Sequence, residues 1–175
     1  MMEYEVKIRV KSLAPVRSRL AALGIRPGSK VAERDLYLNS PIRDFGKTDE
    51  ALRIRTTEEE TTLTYKGPRL GLGGVKAREE IIVPVGSGKA LEEILVRLGF
   101  TRTAIVEKSR ETYRVEGAFV ALDEVKGLGP FVEIEAPSGL GEDGAIALIG
   151  RVREALGLAG EETLLSYLEL VLSTR

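Results

Sequence analysis

Glu3, Glu5 and Lys7 occupy alternate positions near the start of the chain, and Tyr4, Val6, Ile8 and Val10 fill the positions between and beyond them. In an extended strand successive side chains point to opposite faces, so the two carboxylates and the ammonium share one side and the apolar groups the other. The pattern recurs. Arg53 and Arg55 alternate with Leu52 and Ile54, and Thr62, Thr64 and Lys66 share a face opposite Leu63 and Tyr65. Lys108, Arg110, Thr112 and Arg114 form one face, and Glu133 and Glu135 stand opposite Val132 and Ile134. Carboxylates are hard oxygen donors for divalent cations, while guanidinium forks and ammonium groups bind phosphate oxygens. A metal-bound polyphosphate would neutralise both sets together. A citrate-like polycarboxylate would satisfy the cations but explains the acidic pairs less well.

A single stripe of this kind is usually the solvated outer face of an amphipathic strand. Several of them, in a chain whose helices need apolar sheet surface to cover, favour the opposite arrangement: aliphatic faces beneath helices, charged faces lining an interior. Such an interior is costly unless its charges are paired or hold a ligand.

Composition narrows the chemistry. The 175 residues include neither cysteine nor histidine, which excludes disulfides, thiolate nucleophiles, Cys/His zinc sites and imidazole bases. A bound metal must take oxygen ligands, favouring Mg²⁺ or Mn²⁺. The net charge of −1 argues against general nucleic-acid binding. No apolar run is long enough to span a bilayer, and the start of the chain lacks a signal-peptide pattern, so the expected location is cytoplasmic with no membrane partner. Asn39 is the single side-chain amide among abundant Glu, Lys and Arg, a bias that suggests a thermophilic source.

The elements that must position these side chains can be read in order. A helix is expected over 13–23, with Pro15 in its first turn, Val16, Leu20 and Leu23 on one side and Gly24 at its end. A strand over 30–38 leads into a polar loop through Pro41 and Gly46 to Asp49. Strands over 51–57 and 60–66 are joined by an acidic turn at Glu58 and Glu59. The glycine-rich break at 67–74 reads equally as a lid or as a long hairpin connection. A strand over 78–85 and a helix over 87–98, with Leu91, Ile94, Leu95 and Leu98 at helical spacing, come next. Strands near 104–115, 118–125 and 130–136 precede two helices, 142–156 and 161–172, the first burying Ile146, Ile149, Val152 and Leu156.

A weak internal repeat underlies this order. The strand of Glu3 and Glu5, its helix and Leu23-Gly24-Ile25 parallel the strand of Arg78 and Glu80, its helix and Leu98-Gly99-Phe100. Two strand–helix–strand–strand–strand halves predict an α+β chain, one domain over 1–175, forming a closed or nearly closed eight-stranded antiparallel barrel with helices packed outside.

These residues also resemble a known family. Glu3-Tyr4-Glu5-Val6-Lys7 is similar to the ExExK signature of the CYTH superfamily, the triphosphate tunnel metalloenzymes. The likeness continues in family order through Asp35-Leu36-Tyr37, Leu52-Arg53-Ile54-Arg55, Leu63-Thr64-Tyr65-Lys66-Gly67-Pro68, Arg78-Glu79-Glu80, Lys108-Ser109-Arg110 and Glu133-Ile134-Glu135. The run from Leu122 to Glu135, and Ser166-Tyr167, most resemble the class IV adenylyl cyclase branch. The resemblance implies a tunnel that binds ATP or another organic or inorganic triphosphate with Mg²⁺ or Mn²⁺. By position it implies Glu3, Glu5, Glu133 and Glu135 as metal ligands, with Glu80 beside them. It implies Lys7, Arg53, Arg55, Lys66, Lys108 and Arg110 as triphosphate contacts, with Arg78 and Arg114 as supporting members. Lys7, Lys66, Asp123 and Tyr37 are the expected catalytic positions, and a homodimer is left open. Two reactions share nearly all of these groups. In one, the 3′-hydroxyl of ATP attacks its own α-phosphorus; in the other, water attacks a terminal phosphorus of inorganic triphosphate, thiamine triphosphate or a nucleotide. A non-catalytic sensor of a phosphorylated metabolite is a third class, disfavoured by the acidic pairs.

Overall fold

A computed structural model describes residues 2–72 and 75–174, with the backbone alone at 71, 72, 75 and 76. Its strands are β1 (Met2–Arg9), β2 (Lys30–Asn39), β3 (Ala51–Thr56), β4 (Thr61–Lys66), β5 (Leu70–Leu72), β6 (Val75–Pro84), β7 (Thr101–Val115), β8 (Ala118–Val125), β9 (Gly129–Glu135) and β10 (Glu161–Thr163). Its helices are α1 (Ala14–Ala22), α2 (Phe45–Thr48), α3 (Gly88–Arg97), α4 (Glu142–Ala155) and α5 (Tyr167–Ser173). Eight strands close a ring in the order β1-β9-β8-β7-β2-β3-β4-β6, and β6 returns to β1. Every pairing is antiparallel. This is the expected α+β barrel.

The period-2 pattern decides which face turns inward. Val6 and Ile8 of β1, Val120 and Leu122 of β8 and Val132 and Ile134 of β9 face outward and are buried beneath α1 and α4, through Val16, Leu20, Ala145, Leu148, Ile149 and Val152. On the opposite wall Leu36, Leu38 and Ile54 are covered by Leu91 and Leu95 of α3. The charged faces are left to line the interior.

Several expectations are corrected. Leu23 stays exposed beyond α1, because the helix ends at Ala22. In α3 only Leu91 and Leu95 reach the sheet; Ile94 and Leu98 remain exposed on its flank. The polar loop before Asp49 contains the short helix α2, capped by the Asp44 carboxylate, which accepts from the Gly46 amide. The break at 67–74 holds β5, which pairs with the start of β6; its residues 73 and 74 lie outside the described residues.

The last expected helix, 161–172, divides into a strand and a shorter helix. One edge of β1 is shared: Met2–Glu5 pair with β6, and Lys7–Arg9 pair with β10. The backbone groups of Lys7–Arg9 take up residues 161–163 as a strand. Ser166 then starts α5 with a capping box, its hydroxyl accepting from the Glu169 amide while the Glu169 carboxylate accepts from the Ser166 amide.

Unlike α1, α3 and α4, α5 does not lie on the outer wall. Its Tyr167, Leu168, Leu170 and Val171 pack on Tyr37, Val106, Val125 and Phe131, which face the barrel interior. The helix corks one end, turning the expected tunnel into a cup. Gly160 lets the chain cross β1 closely enough to reach that position, since a Cβ there would collide with the Arg9 carbonyl. Gly160→Ala is therefore expected to cost ~1–3 kcal/mol of stability, as an overpacked site does, and so to lower the thermal midpoint. An unchanged midpoint in a thermal melt would show that the crossing tolerates a side chain.

Candidate functional site

The interior face contributes one dense ionic lattice. Lys7, almost fully buried, donates to Glu133 at 2.7 Å and stands 4.0 Å from Glu5. Arg110 forks onto Asp123, with Nε to Oδ1 at 2.7 Å, and also touches Glu133. Asp35 collects Arg55 at 2.7 Å, Lys108 at 3.1 Å and Arg53 at 3.6 Å. Glu33 pairs with Lys108 at 2.6 Å and Arg55 at 3.0 Å. Lys66 bridges Glu3 at 2.9 Å and Glu80 at 3.2 Å. The cations of this lattice, with Glu3, Glu5, Glu80 and Glu133, line a cavity of about 230 Å³, and Asp35, Glu33 and Asp123 stand behind them. A larger depression of about 730 Å³ runs past Arg34, Glu58, Glu124 and Lys126 on the outer wall, but those charges point to solvent and do not converge.

Exposure along the strands locates the opening. On the inner face of β6, Arg78 is 4% exposed and Ile82 is 57% exposed, so the cup opens toward the Ile82 end, away from α5. Arg78 is fastened at the closed end, donating from Nε to the Gly67 carbonyl at 2.8 Å and from Nη2 to the Asp49 carbonyl at 2.7 Å.

The two signs are unequally satisfied. Burial alone would raise the Asp35 carboxyl, yet Arg53, Arg55 and Lys108 hold it far below the usual carboxylate range. Burial would likewise raise Glu133, but Arg110 and Lys7 keep it well below. Glu3 and Glu135 are different. Burial, reinforced by repulsion from Glu5, pushes each up to about 7. Lys7 and Lys66 stay charged, because their carboxylate neighbours outweigh the burial that opposes them. Lys108 is lowered by burial and by Arg110, against the pull of Asp35 and Glu33.

This imbalance tests the donor set for a metal. Among the described residues no three carboxylates converge as a ready-made cage. The set nonetheless fits a hard divalent cation: Glu5 and Glu135 face each other across the β1–β9 ladder, and Glu3 repels Glu5. Glu133 is committed to Lys7 and Arg110, and Glu80 lies beside Lys66 and Arg53. Phosphate also has a waiting donor. Arg53 Nε is buried without a hydrogen-bond partner among the described residues, and the guanidinium's contacts to Thr64, Asp35 and Glu80 are long, 3.5–3.7 Å.

Most of the sequence-predicted residues thus meet in one place: Glu3, Glu5, Lys7, Tyr37, Arg53, Arg55, Lys66, Arg78, Glu80, Lys108, Arg110, Glu133 and Glu135 all line the cup. Asp123 lies fully buried behind Arg110. Arg114 does not join them; it is exposed at the β7–β8 hairpin, stacked over the Phe119 ring and donating to the Gly117 carbonyl. Tyr37 lies in the apolar floor with Phe131 and Tyr167. Tyr167, Glu33 and Asp35 were not singled out as site residues. Glu33 and Asp35 carried the signal of alternation within 30–38. Tyr167 entered only through the Ser166-Tyr167 resemblance and no alternation marked it, because its role depends on the cork: its hydroxyl donates to Asp123 at 2.7 Å and its ring lies 4.4 Å from the Lys7 ammonium.

The CYTH domain profile matches residues 1–164. The chain belongs to the CYTH family. A Methanocaldococcus jannaschii protein, provisionally named an adenylate cyclase, is 35% identical over 173 residues, covering 97% of this chain and 98% of that protein. A Pyrococcus horikoshii protein of known structure superposes with a TM-score of 0.84 at 36% identity, covering 99% of both chains. The fold extends to a Hippeastrum protein at TM-score 0.73 and 21% identity, covering 99% of this chain and 96% of that one.

Two measurements follow from the lattice. Glu3 and Glu135 hold their protons to about 7 when folded but release them near 4.5 when unfolded, so metal-free stability should fall as pH rises between those values and level off above 7. Asp35, depressed in the folded state, contributes stability that is lost as pH drops below its ordinary 3.8. Thermal midpoints of metal-free protein should therefore peak near about pH 5, and added Mg²⁺ or Mn²⁺ should restore stability at pH 8. A midpoint still climbing from pH 5 to 8 without metal would contradict the assignment. Tyr167→Phe removes a buried donor from an ionised partner and is expected to cost about 1.5–3 kcal/mol in denaturant unfolding.

Proposed function

We propose that this CYTH protein is a metal-dependent adenylyl cyclase that converts ATP to cyclic AMP and pyrophosphate. The observation that carries the reading is the polarity of the cup. Its floor is closed by α5, whose Tyr167 ring lies against the firmly charged Lys7 and near Lys108, while Glu5 and the under-neutralised Glu135 stand one inward-facing position further from that floor along β1 and β9, and the under-neutralised Glu3 stands opposite Arg78. A nucleoside triphosphate can enter such a cup only with its terminal phosphates leading. Lys7, Arg53, Lys66 and Lys108 then take the β- and γ-phosphates, and the α-phosphate comes to rest beside the carboxylates.

In the reaction the ribose 3′-oxygen attacks the α-phosphorus, the bond to the β-phosphate oxygen breaks, the hydroxyl proton is lost and pyrophosphate leaves. A divalent cation held by Glu3, Glu5 and Glu135 would supply Lewis-acid charge at the α-phosphate and acidify the attacking hydroxyl. The chain's own residues supply the rest. Arg53 and Lys66 meet the charge that builds on the departing pyrophosphate. Asp35 and Asp123 hold the Arg55, Lys108 and Arg110 side chains in position before substrate arrives. Lys7 and Lys66 act as fixed cations, and Tyr37 belongs to the floor that excludes water.

Triphosphate hydrolysis is the second reading. It is favoured by the size of the cavity, about 230 Å³, which suits a phosphate chain without an organic group. The Hippeastrum fold relative is described as having a dominant triphosphatase activity.

Products decide between them. Purified protein with ATP and Mn²⁺ is expected to yield cyclic AMP and pyrophosphate, resolved by chromatography; orthophosphate with ADP, or from inorganic triphosphate or thiamine triphosphate run in parallel, would establish the hydrolase instead. The double substitution Glu3→Gln with Glu5→Gln is expected to abolish metal-dependent turnover. The metal-free fold should be retained or stabilised, because two like charges leave a crowded interior. Unfolding of that variant in a metal-free thermal melt would mean that the pair is structural.

A further inference from the structure

The cavity of the cup is lined by charge almost throughout, and its few apolar groups fall in two places. Tyr37, Ala51 and Tyr167 belong to the corked end, in contact with or close to α5. Ile82 is the apolar lining residue at the other end. It occupies the inner face of β6, two steps beyond Glu80 and four beyond Arg78, so it continues the phosphate-binding face of that strand out to the rim. Its lateral neighbour in the ladder, Thr64, is 1% exposed, whereas Ile82 is 57% exposed. Ile82 therefore stands at the rim while the strand beside it is still covered.

Scattered exposed aliphatic side chains need no explanation, and Ile81 and Val83 on the outer face of the same strand are of that kind. Ile82 differs by its place. About 230 Å³ is below the roughly 300–1,000 Å³ of pockets that engulf a drug-sized ligand, so the organic part of a nucleotide whose phosphates fill the cup must lie at the rim. There it would meet a branched aliphatic side chain that is more than half exposed, beside a wall otherwise lined by charge.

We propose that Ile82 is a specificity-determining residue, packing against the nucleoside of a bound nucleotide and thereby favouring an organic triphosphate over inorganic triphosphate. The assignment rests on the triphosphate reading of the same cup. It makes no demand on the fold, because a residue this exposed can be truncated without opening a cavity in the core. It also separates two contributions: the inner cations take the phosphates of either ligand alike, and Ile82 touches only the ligand that carries an organic group.

The test compares wild type with Ile82→Ala and Ile82→Ser, with ATP and inorganic triphosphate as probes. Michaelis constants are measured where turnover occurs, and calorimetric dissociation constants with Mg²⁺ in every case. Thermal midpoints should match wild type. The dissociation constant for ATP is expected to rise roughly three- to tenfold, the effect of one partly buried aliphatic group, while that for inorganic triphosphate stays unchanged. Equal shifts for both probes, or no shift for either, overturn the proposal. Wild-type protein that binds inorganic triphosphate but not ATP also overturns it while leaving the phosphate cup standing. Wild-type protein that binds neither probe overturns the triphosphate reading itself.

Discussion

A barrel this narrow can carry charge on its inner wall only where each group meets its opposite, and Asp35 is where that requirement is most tightly met. One carboxylate, 1% exposed, takes hydrogen bonds from Arg55 and Lys108 and lies within ion-pair distance of Arg53. Three cations that would repel one another in a low-dielectric interior are thereby held on two neighbouring walls, β3 and β7, across β2. Removing the anion would leave them uncompensated, which is far more damaging than the loss of any one contact. Asp123 and Glu133 do the same for Arg110 and Lys7 on the other side. The cations of the interior are thus fixed in advance, as the proposed triphosphate reading requires. The organisation resembles a preorganised electrostatic site more than a hydrophobic core.

The exterior supplies the stability that this interior does not. Among the described residues the two helices on β1, β8 and β9 bury the largest apolar core, α3 covers a smaller one and α5 another at the floor, while the rest of the inner faces contribute ionic contacts whose net worth is small once desolvation is counted. The consequence is a division of labour along each strand. Odd and even positions of β1 answer to different surroundings, one a hydrocarbon interface and the other an ionic interior, and a one-residue register slip would exchange them. The direct pairing of Glu5 with Glu135 and of Lys7 with Glu133 is the signature of the correct register.

Much of this was legible in the sequence because alternation is a local signal. The inner faces of β1, β3, β4, β7 and β9 could be read residue by residue, and the helices that cover them announced themselves by period and capping. What was missed depends on contacts far apart in the chain. Residues 161–163 are strand because Lys7–Arg9 need partners that β6 does not provide, a fact visible only once the ring has closed. Tyr167 is a site residue because α5 turns into the barrel end, whereas its periodicity alone fitted one more outer helix. Arg114 shows the opposite failure. It continues the alternation of Lys108 and Arg110 faithfully, but the strand has already run past the barrel mouth by that point, so the same face looks into solvent.

The cork itself is held by Arg69, which donates to Asp49, to both carboxylate oxygens of Glu169 and to the Leu164 carbonyl. Three stretches distant in sequence are tied across the closed end by a single guanidinium. With that end tied shut, the interior opens at the Ile82 end among the described residues, and traffic through it runs in a queue. Under the proposed cyclase reading, what enters phosphate-first leaves phosphate-last, so an organic fragment at the rim departs before an inorganic fragment at the floor can follow.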